Sequence, residues 1–314
     1  MKNTISPYDL VKTMCHIHSP SGNETAMKDF LIDYINKNKK NWEVQPKIFH
    51  GEGFQDCIVL IFGKPRTAIF AHMDTIGFTV RYKDQLVKIG GPVIKNGFEL
   101  KGEDSQGKLE AELLIKKDKE GSKSLHYKSK RLAETGTELV FKPEWREDKN
   151  YIQCCYMDNR LGIYNALKTA EKLKNGAIVF SCWEEHGGGS VTFLQKFLAE
   201  KYNIFQALIS DISWISDGVR PGKGAVISMR DSLIPRRSYV NKIISLAKKH
   251  GIPFQPEVEG SGGSDAKELQ MSEHPWDWCF IGATAENVHT PDEKVHKKDI
   301  ESMLSLYKML MKEM

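Results

Sequence analysis

The sequence predicts an α/β fold: a mixed sheet sandwiched by helices, with a small β-rich insertion. Three observations predict it. Four short apolar runs lead to residues able to bind a cation, segments of helical periodicity separate those runs, and residues 78–150 show two-residue alternation instead.

The runs are Ala68–Ala71 leading to His72, Ala177–Phe180 leading to Glu184-Glu185, Ala207–Ile209 leading to Asp211, and Cys279–Ile281 leading to His289. Continuous apolar runs of this length suit strands buried on both faces, as in a parallel sheet. Functional groups then gather beyond the carboxyl ends of the strands.

The first helix is expected where Ser21 precedes Glu24 at capping-box spacing and Met27, Phe30, Leu31 and Ile35 recur on one face. Further helices are expected over Leu161–Leu173, Val191–Leu198, Tyr239–Ala247 and Ile300–Met311. The last carries Met303, Leu304, Tyr307 and Leu310 on one side. Alternation at 108–115 and 137–141, between turns such as Gly90-Gly91, points to a β-rich insert. The expected division is a discontinuous main domain, 1–77 and 151–314, interrupted by an inserted domain, 78–150.

Composition narrows the function. The 314-residue chain is 40% hydrophobic and carries a net charge of only +4. Its basic residues are dispersed, and the Lys37–Lys40 run is broken by Asn38 and reads as a solvated helix end. No nucleic-acid partner is expected. No segment approaches the roughly 20 apolar residues of a membrane span, and residues 1–14 lack the apolar core of a signal peptide. Six cysteines without a CxxC pair fit reduced thiols in the cytoplasm.

Taken singly, the polar residues have ordinary explanations. His72-Met73-Asp74 reads as a strand-end histidine, Asp158 as a helix cap, Glu184-Glu185 and Asp211 as turn residues, and His289 as a loop histidine. Together, two histidines and three carboxylates form an N/O set suited to zinc, cobalt or manganese. One carboxylate can bridge two ions, and two ions roughly 3.5–4 Å apart can activate a water. A further group must then take the proton, and Glu184 beside Glu185 is placed for that. A nucleotide loop is a poor alternative, because Gly187–Gly189 belongs to no GxGxxG and precedes no Gly-Lys-Ser/Thr.

The order of these motifs resembles the tetrahedral (TET) and glutamyl aminopeptidase family of dinuclear, co-catalytic zinc metallopeptidases. The matching stretches are Ala71–Phe78, Asp158–Gly162, Glu184-Glu185, Gly251–Gln255, Gly262–Ala266 and His289–Glu293. The resemblance implies a zinc-peptidase, phosphorylase/hydrolase-like fold with a PDZ-like or β-barrel insert. It implies two divalent metals per subunit, with Asp158 bridging, His72 and Asp211 at one ion, and Glu185 and His289 at the other. Asp74 would orient His72 and Glu184 would act as general base. Peptide substrates and a homo-oligomer, from dimer to dodecamer, also follow from the resemblance. Gly263 and Asp265 would face the substrate, and His186 is assigned a pocket role. The chain departs from the pattern at Thr75, where an acidic residue is common, and at His186–Gly189, where Val-Gly is expected. A deacylase or carboxypeptidase on the same scaffold, or a non-catalytic peptide-binding protein, are the competing readings.

Overall fold

The computed structural model describes residues 6–314. Its centre is four parallel strands, side by side in the order Gly176–Ser181, Thr67–His72, Gln206–Trp214 and Asp277–Glu286. These contain the four apolar runs of the sequence. All six residues of Thr67–His72 and of Gly176–Ser181 are buried, which is why their sequence shows no alternation. Antiparallel strands flank them. Gln55–Phe62 pairs with Gly176–Ser181, while Ala225–Arg230 and Lys294–His296 both pair with Asp277–Glu286. The sheet is therefore mixed, as expected.

Helices pack on this sheet. Met157–Ala170 lies against the two central strands and against Lys297–Glu313, and Ser190–Tyr202 lies against Gly176–Ser181. The other expected helices form over Thr25–Asn38 and Arg237–Lys249. None of the helices is long and apolar enough to cross a membrane among the described residues. All six cysteines are free and buried.

The capping box does not form. Helix Thr25–Asn38 has no side-chain cap. The Ser21 hydroxyl instead donates to Asp74 Oδ2 at 2.6 Å, and Glu24 Oε1 accepts the backbone N–H groups of Gly22 and Trp183. The Ser21 hydroxyl donates to a buried carboxylate, a charge-assisted bond stronger than a neutral cap, and Glu24 accepts buried backbone N–H groups, so tertiary contacts take both side chains.

The β-rich segment is a closed barrel of six strands, within residues 77–141. Its alternation is the inside–outside period of a strand: Leu109, Ala111 and Leu113 point inward between exposed Lys108, Glu110 and Glu112. Arg146–Glu147, which falls inside the expected insert, pairs instead with Tyr151–Gln153 at the edge of the main sheet.

Packing where helix Met157–Ala170 meets the sheet is close. A Cβ added to Gly162 would sit 2.0 Å from the Ser210 carbonyl oxygen and 2.1 Å from Asn159 Oδ1. Neither neighbour is free to move, since Asn159 Oδ1 accepts the Gly162 N–H and its Nδ2 donates to that same carbonyl. Gly162→Ala is expected to lower the unfolding free energy by about 1–3 kcal/mol or more. Urea denaturation checks this, and an unchanged midpoint would mean the helix can move away without cost.

Candidate metal centre

The four parallel strands end at one place, and turns beyond them deliver the polar groups. Thr67–His72 ends on His72, 1% exposed, whose Nδ1 faces Asp74 Oδ1 at 3.3 Å and whose Nε2 faces Asp158 Oδ1 at 3.0 Å and Asp211 Oδ2 at 3.5 Å. Gly176–Ser181 runs into Trp183, which turns the chain in the left-handed region (φ 66°) and presents Glu184 and Glu185. Asp211 lies within Gln206–Trp214, with Oδ1 accepting the Ile212 N–H at 2.8 Å.

His289 follows the fourth strand and also has a positive φ, 63°. Its Nε2 lies 3.3 Å from Asp158 Oδ2 and 3.4 Å from Glu185 Oε2. Asp158 thus stands between the two histidines, one oxygen toward each. The Asp158–Asn159 peptide is cis. Asp158 is not the helix cap: that bond comes from Asn159, whose Oδ1 accepts the Gly162 N–H.

Behind these groups, other carboxylates hold the backbone. Asp74 accepts the N–H groups of Glu184 (3.1 Å) and Glu185 (3.0 Å) as well as the Ser21 hydroxyl. Glu293, 1% exposed, accepts the N–H of Asp158 at 3.2 Å and of His289 at 2.8 Å. Arg160 is wholly buried and donates to the Met73 carbonyl at 2.6 Å. Nothing local in the sequence marks Glu24, Glu293, Ser21 or Arg160 as a site residue. Glu293 and Arg160 sit inside the motif stretches, which was the available signal.

The insert contributes a wall. Gly91 O accepts from His289 Nδ1 at 3.2 Å, Val93 N–H donates to the His289 carbonyl at 2.9 Å, and both residues line the cavity over the cluster. The Gly90-Gly91 turn is therefore part of the site. Gly90 has φ +68° and its position leaves 2.9 Å between an added Cβ and the Glu185 carbonyl oxygen, so only glycine passes there without strain.

His186 lies outside the cavity lining. It is exposed, and its Nδ1 accepts the Gly90 N–H at 3.0 Å. It pins the barrel turn and does not face the pocket. Gly263 lines the cavity, while Asp265 is buried behind it and accepts the Ser181 hydroxyl. Thr75 is buried, with its hydroxyl donating to the Ser19 carbonyl. The helix after Gly187–Gly189 takes its negative charge from Glu268, which accepts the N–H groups of Gly189 and Thr192.

The electrostatics are those of a site built for cations. Burial and the neighbouring charges of Asp158 push Glu185 well above the usual carboxylate range; burial and then Asp211, Asp265 and Asp158 do the same to Glu184. Burial and Asp158 raise Asp211 to about 6 and Glu293 to about 8. Burial opposes protonation of His289, but Asp158 and Glu185 lift it to about 10. Asp158 is the exception: burial raises it, and the two histidines overcome that and hold it low. Ligand atoms of His72, Asp158 and Asp211 all lie within 4.8 Å of one another, as do those of Asp158, Glu185 and His289. Either triplet could hold a metal. Glu185 Oε1 is buried with no hydrogen-bond partner, an acceptor that a bound cation would satisfy. A larger cavity of about 930 Å³ lies elsewhere, among Lys64, Arg66, Lys172, Lys174, Lys308 and Lys312, and contains none of these groups.

A family model described as M42 glutamyl aminopeptidase matches residues 122–306. The chain belongs to that family. It is a peptidase, and M42 peptidases are metallopeptidases. A curated relative from Acetivibrio thermocellus, described provisionally as an aminopeptidase, is 24% identical over 333 positions covering 95% of this chain and 96% of the relative. An aminopeptidase from Desulfurococcus kamchatkensis shares the fold at a TM-score of 0.85 and 21% identity, over 98% of this chain and 95% of that one. The TET aminopeptidase of Thaumarchaeota archaeon SCGC AB-539-E09 follows at 0.83 and 18%, over 98% and 96%. The Pyrococcus horikoshii TET1 peptidase, which can assemble into a tetrahedron or a large octahedral shell, matches at 0.78 and 23%, over 98% and 99%.

Asp74 offers the sharpest test of how the site is held. An asparagine there keeps the shape but replaces one acceptor oxygen with an NH₂ facing the donors. Asp74→Asn is expected to cost about 2–4 kcal/mol of folding stability. Chemical denaturation measures it, and a cost below that of an ordinary surface change would show that Asp74 does not hold the turn.

Proposed function

We propose that the chain is a dinuclear metallo-aminopeptidase that removes N-terminal residues from peptides. His72 and Asp211 would hold one divalent ion, Glu185 and His289 the other, with Asp158 shared. Zinc, cobalt or manganese all suit this N/O set. The observation that carries the proposal is the pair of triplets sharing Asp158, one containing the orphaned Glu185 oxygen. When bound, the ions supply Lewis acidity and a water of lowered pKa.

The chain's own residues do the rest. Asp74 takes the Nδ1 side of His72, so Nε2 is turned into the cluster. Glu184 lines the cavity, and among the described residues its charged neighbour is His72, with Nε2 3.9 Å away. Its pKa, raised by burial and then by surrounding carboxylates and opposed by metal charge, suits a group that accepts a proton from the attacking water and returns it to the leaving amine.

A homo-oligomer is part of the proposal. The Pyrococcus horikoshii TET1 peptidase can assemble into a tetrahedron or a large octahedral shell, and the barrel region of this chain exposes Tyr82, Val87 and Leu132 at 50% or more, apolar surface that a neighbouring copy would cover.

Glu184→Gln is expected to lower turnover of free-amine aminoacyl reporters by about 10²–10⁴-fold, with metal content unchanged. Near-normal rates would remove Glu184 from the base role. Chelation should abolish activity and re-addition of zinc, cobalt or manganese restore it, with two ions per chain by elemental analysis; full activity of a metal-free preparation would overturn the metal mechanism. A preference for N-acylated substrates would replace the aminopeptidase by a deacylase. Light scattering should give a mass of at least two chains, and a clean monomer would contradict the assembly.

A further inference from the structure

The cavity over the cluster continues to a second wall that the chemistry above does not use. Its volume is about 420 Å³, and beyond the cluster it is lined by Asp231, Glu257 and Glu259, with Ser213 and Trp214 beside them. These acids come from two adjacent parallel strands and the residues after them, Ala225–Arg230 and Phe254–Val258. Among the described residues, no lysine or arginine lines the cavity, and its one basic residue, His289, belongs to the cluster.

Two of these acids are deeply placed. Asp231 is 7% exposed and Glu257 is 5% exposed. Glu257 Oε1 accepts the Ser213 hydroxyl, and Asp231 Oδ1 accepts the Leu233 N–H at 2.6 Å. Among the described residues, neither Asp231 nor Glu257 forms an ion pair; each is held by neutral donors. Ser228, the register neighbour of Glu257, stands beside it and, with Ser213, favours the ionised carboxylate. Arg230 lowers the Asp231 carboxyl pKa through its charge but donates to the Asp231 backbone oxygen at 3.2 Å, not to the carboxylate. Burial raises both carboxyls, and buried carboxylates without an ion-pair partner are costly to ionise until a cation arrives.

We propose that this wall is the subsite for a basic side chain, so that the enzyme prefers peptides beginning with Lys or Arg. The inference rests on the aminopeptidase reading and deepens it. Spacing supports it. Ser213, which holds Glu257, is two residues beyond Asp211 on the same strand face, about 7 Å along the strand. An N-terminal residue with its backbone at the cluster would project a four-carbon stem of about that reach toward Glu257 and Asp231. Trp214 lines the same passage and offers an aromatic face to an ammonium or guanidinium group. An acidic N-terminal side chain would meet three like charges there.

The test uses Lys, Arg, norleucine, Leu and Glu aminocoumarin reporters with the metal-loaded, full-length protein. Lys or Arg should exceed norleucine in kcat/KM by about tenfold or more, with Glu poorest. Glu257→Gln and Asp231→Asn should each reduce the Lys-to-norleucine ratio by about tenfold, chiefly through KM. A ratio unmoved in both variants, or Glu equal to Lys, would overturn the proposal. An equal loss on every reporter would also overturn it, since the acids would then serve the α-amine or the fold. Binding keeps the two readings apart. L-lysinamide should bind more tightly than L-norleucinamide by calorimetry whether or not any reporter is cleaved. Failure of all turnover with that preference intact rejects the aminopeptidase reading alone, and equal binding of the two amides rejects the subsite.

Discussion

Three hydrogen-bond donors converge on the Asp74 carboxylate, the Ser21 hydroxyl and the backbone N–H groups of Glu184 and Glu185, and the His72 ring faces it at 3.3 Å while bonding the Asp74 backbone oxygen. Asp74 is wholly buried. A carboxylate in that position is tolerable only when its oxygens are fully engaged. The need to engage them draws a strand end, a loop and a turn to one point. His72 and the Glu184–Glu185 pair are therefore positioned relative to each other by one group that itself faces away from the cavity. Burial raises the Asp74 pKa, and the His72 bond with the other donors overcomes it, so the group stays ionised.

Glu293 repeats the device on the other side, with the N–H groups of Asp158 and His289 on its two oxygens. The carboxylates thus divide by what they touch. Asp74, Glu293 and Glu24 take backbone N–H groups and fix the turns. Asp158, Glu185 and Asp211 point at one another and at the histidines, and burial and mutual repulsion leave Glu185 and Asp211 hard to ionise without a cation. Positive charge delivered to the cluster would reverse that effect, which couples cation binding to the order of the turns.

The parallel core was legible in the sequence because burial on both faces removes polar alternation, and that left unbroken apolar runs before His72, Glu184 and Asp211. The barrel was legible for the opposite reason, since Leu109, Ala111 and Leu113 alternate with charged neighbours. What escaped was long-range. Gly90-Gly91 carries no local sign that it reaches His289, because the contact joins residues far apart in the chain. The Ser21/Glu24 spacing suggested a local cap, but buried partners outcompeted it. His186 departs from the family pattern, and its ring accepts the Gly90 N–H on the barrel turn.

The position of the barrel in the chain follows from the same contacts. The chain leaves the sheet just after Asp74, where Thr75 bridges to Pro20 and its N–H bonds the Ser19 carbonyl. It returns through Tyr151–Gln153 and within a few residues reaches Asp158. Both ends of the insert are thus tied to residues that build the cluster, and its 90–93 turn is tied to a third, His289. A barrel held at three points around the cavity cannot shift without moving the groups inside it. The shape of the entrance and the alignment of the polar cluster are one mechanical unit.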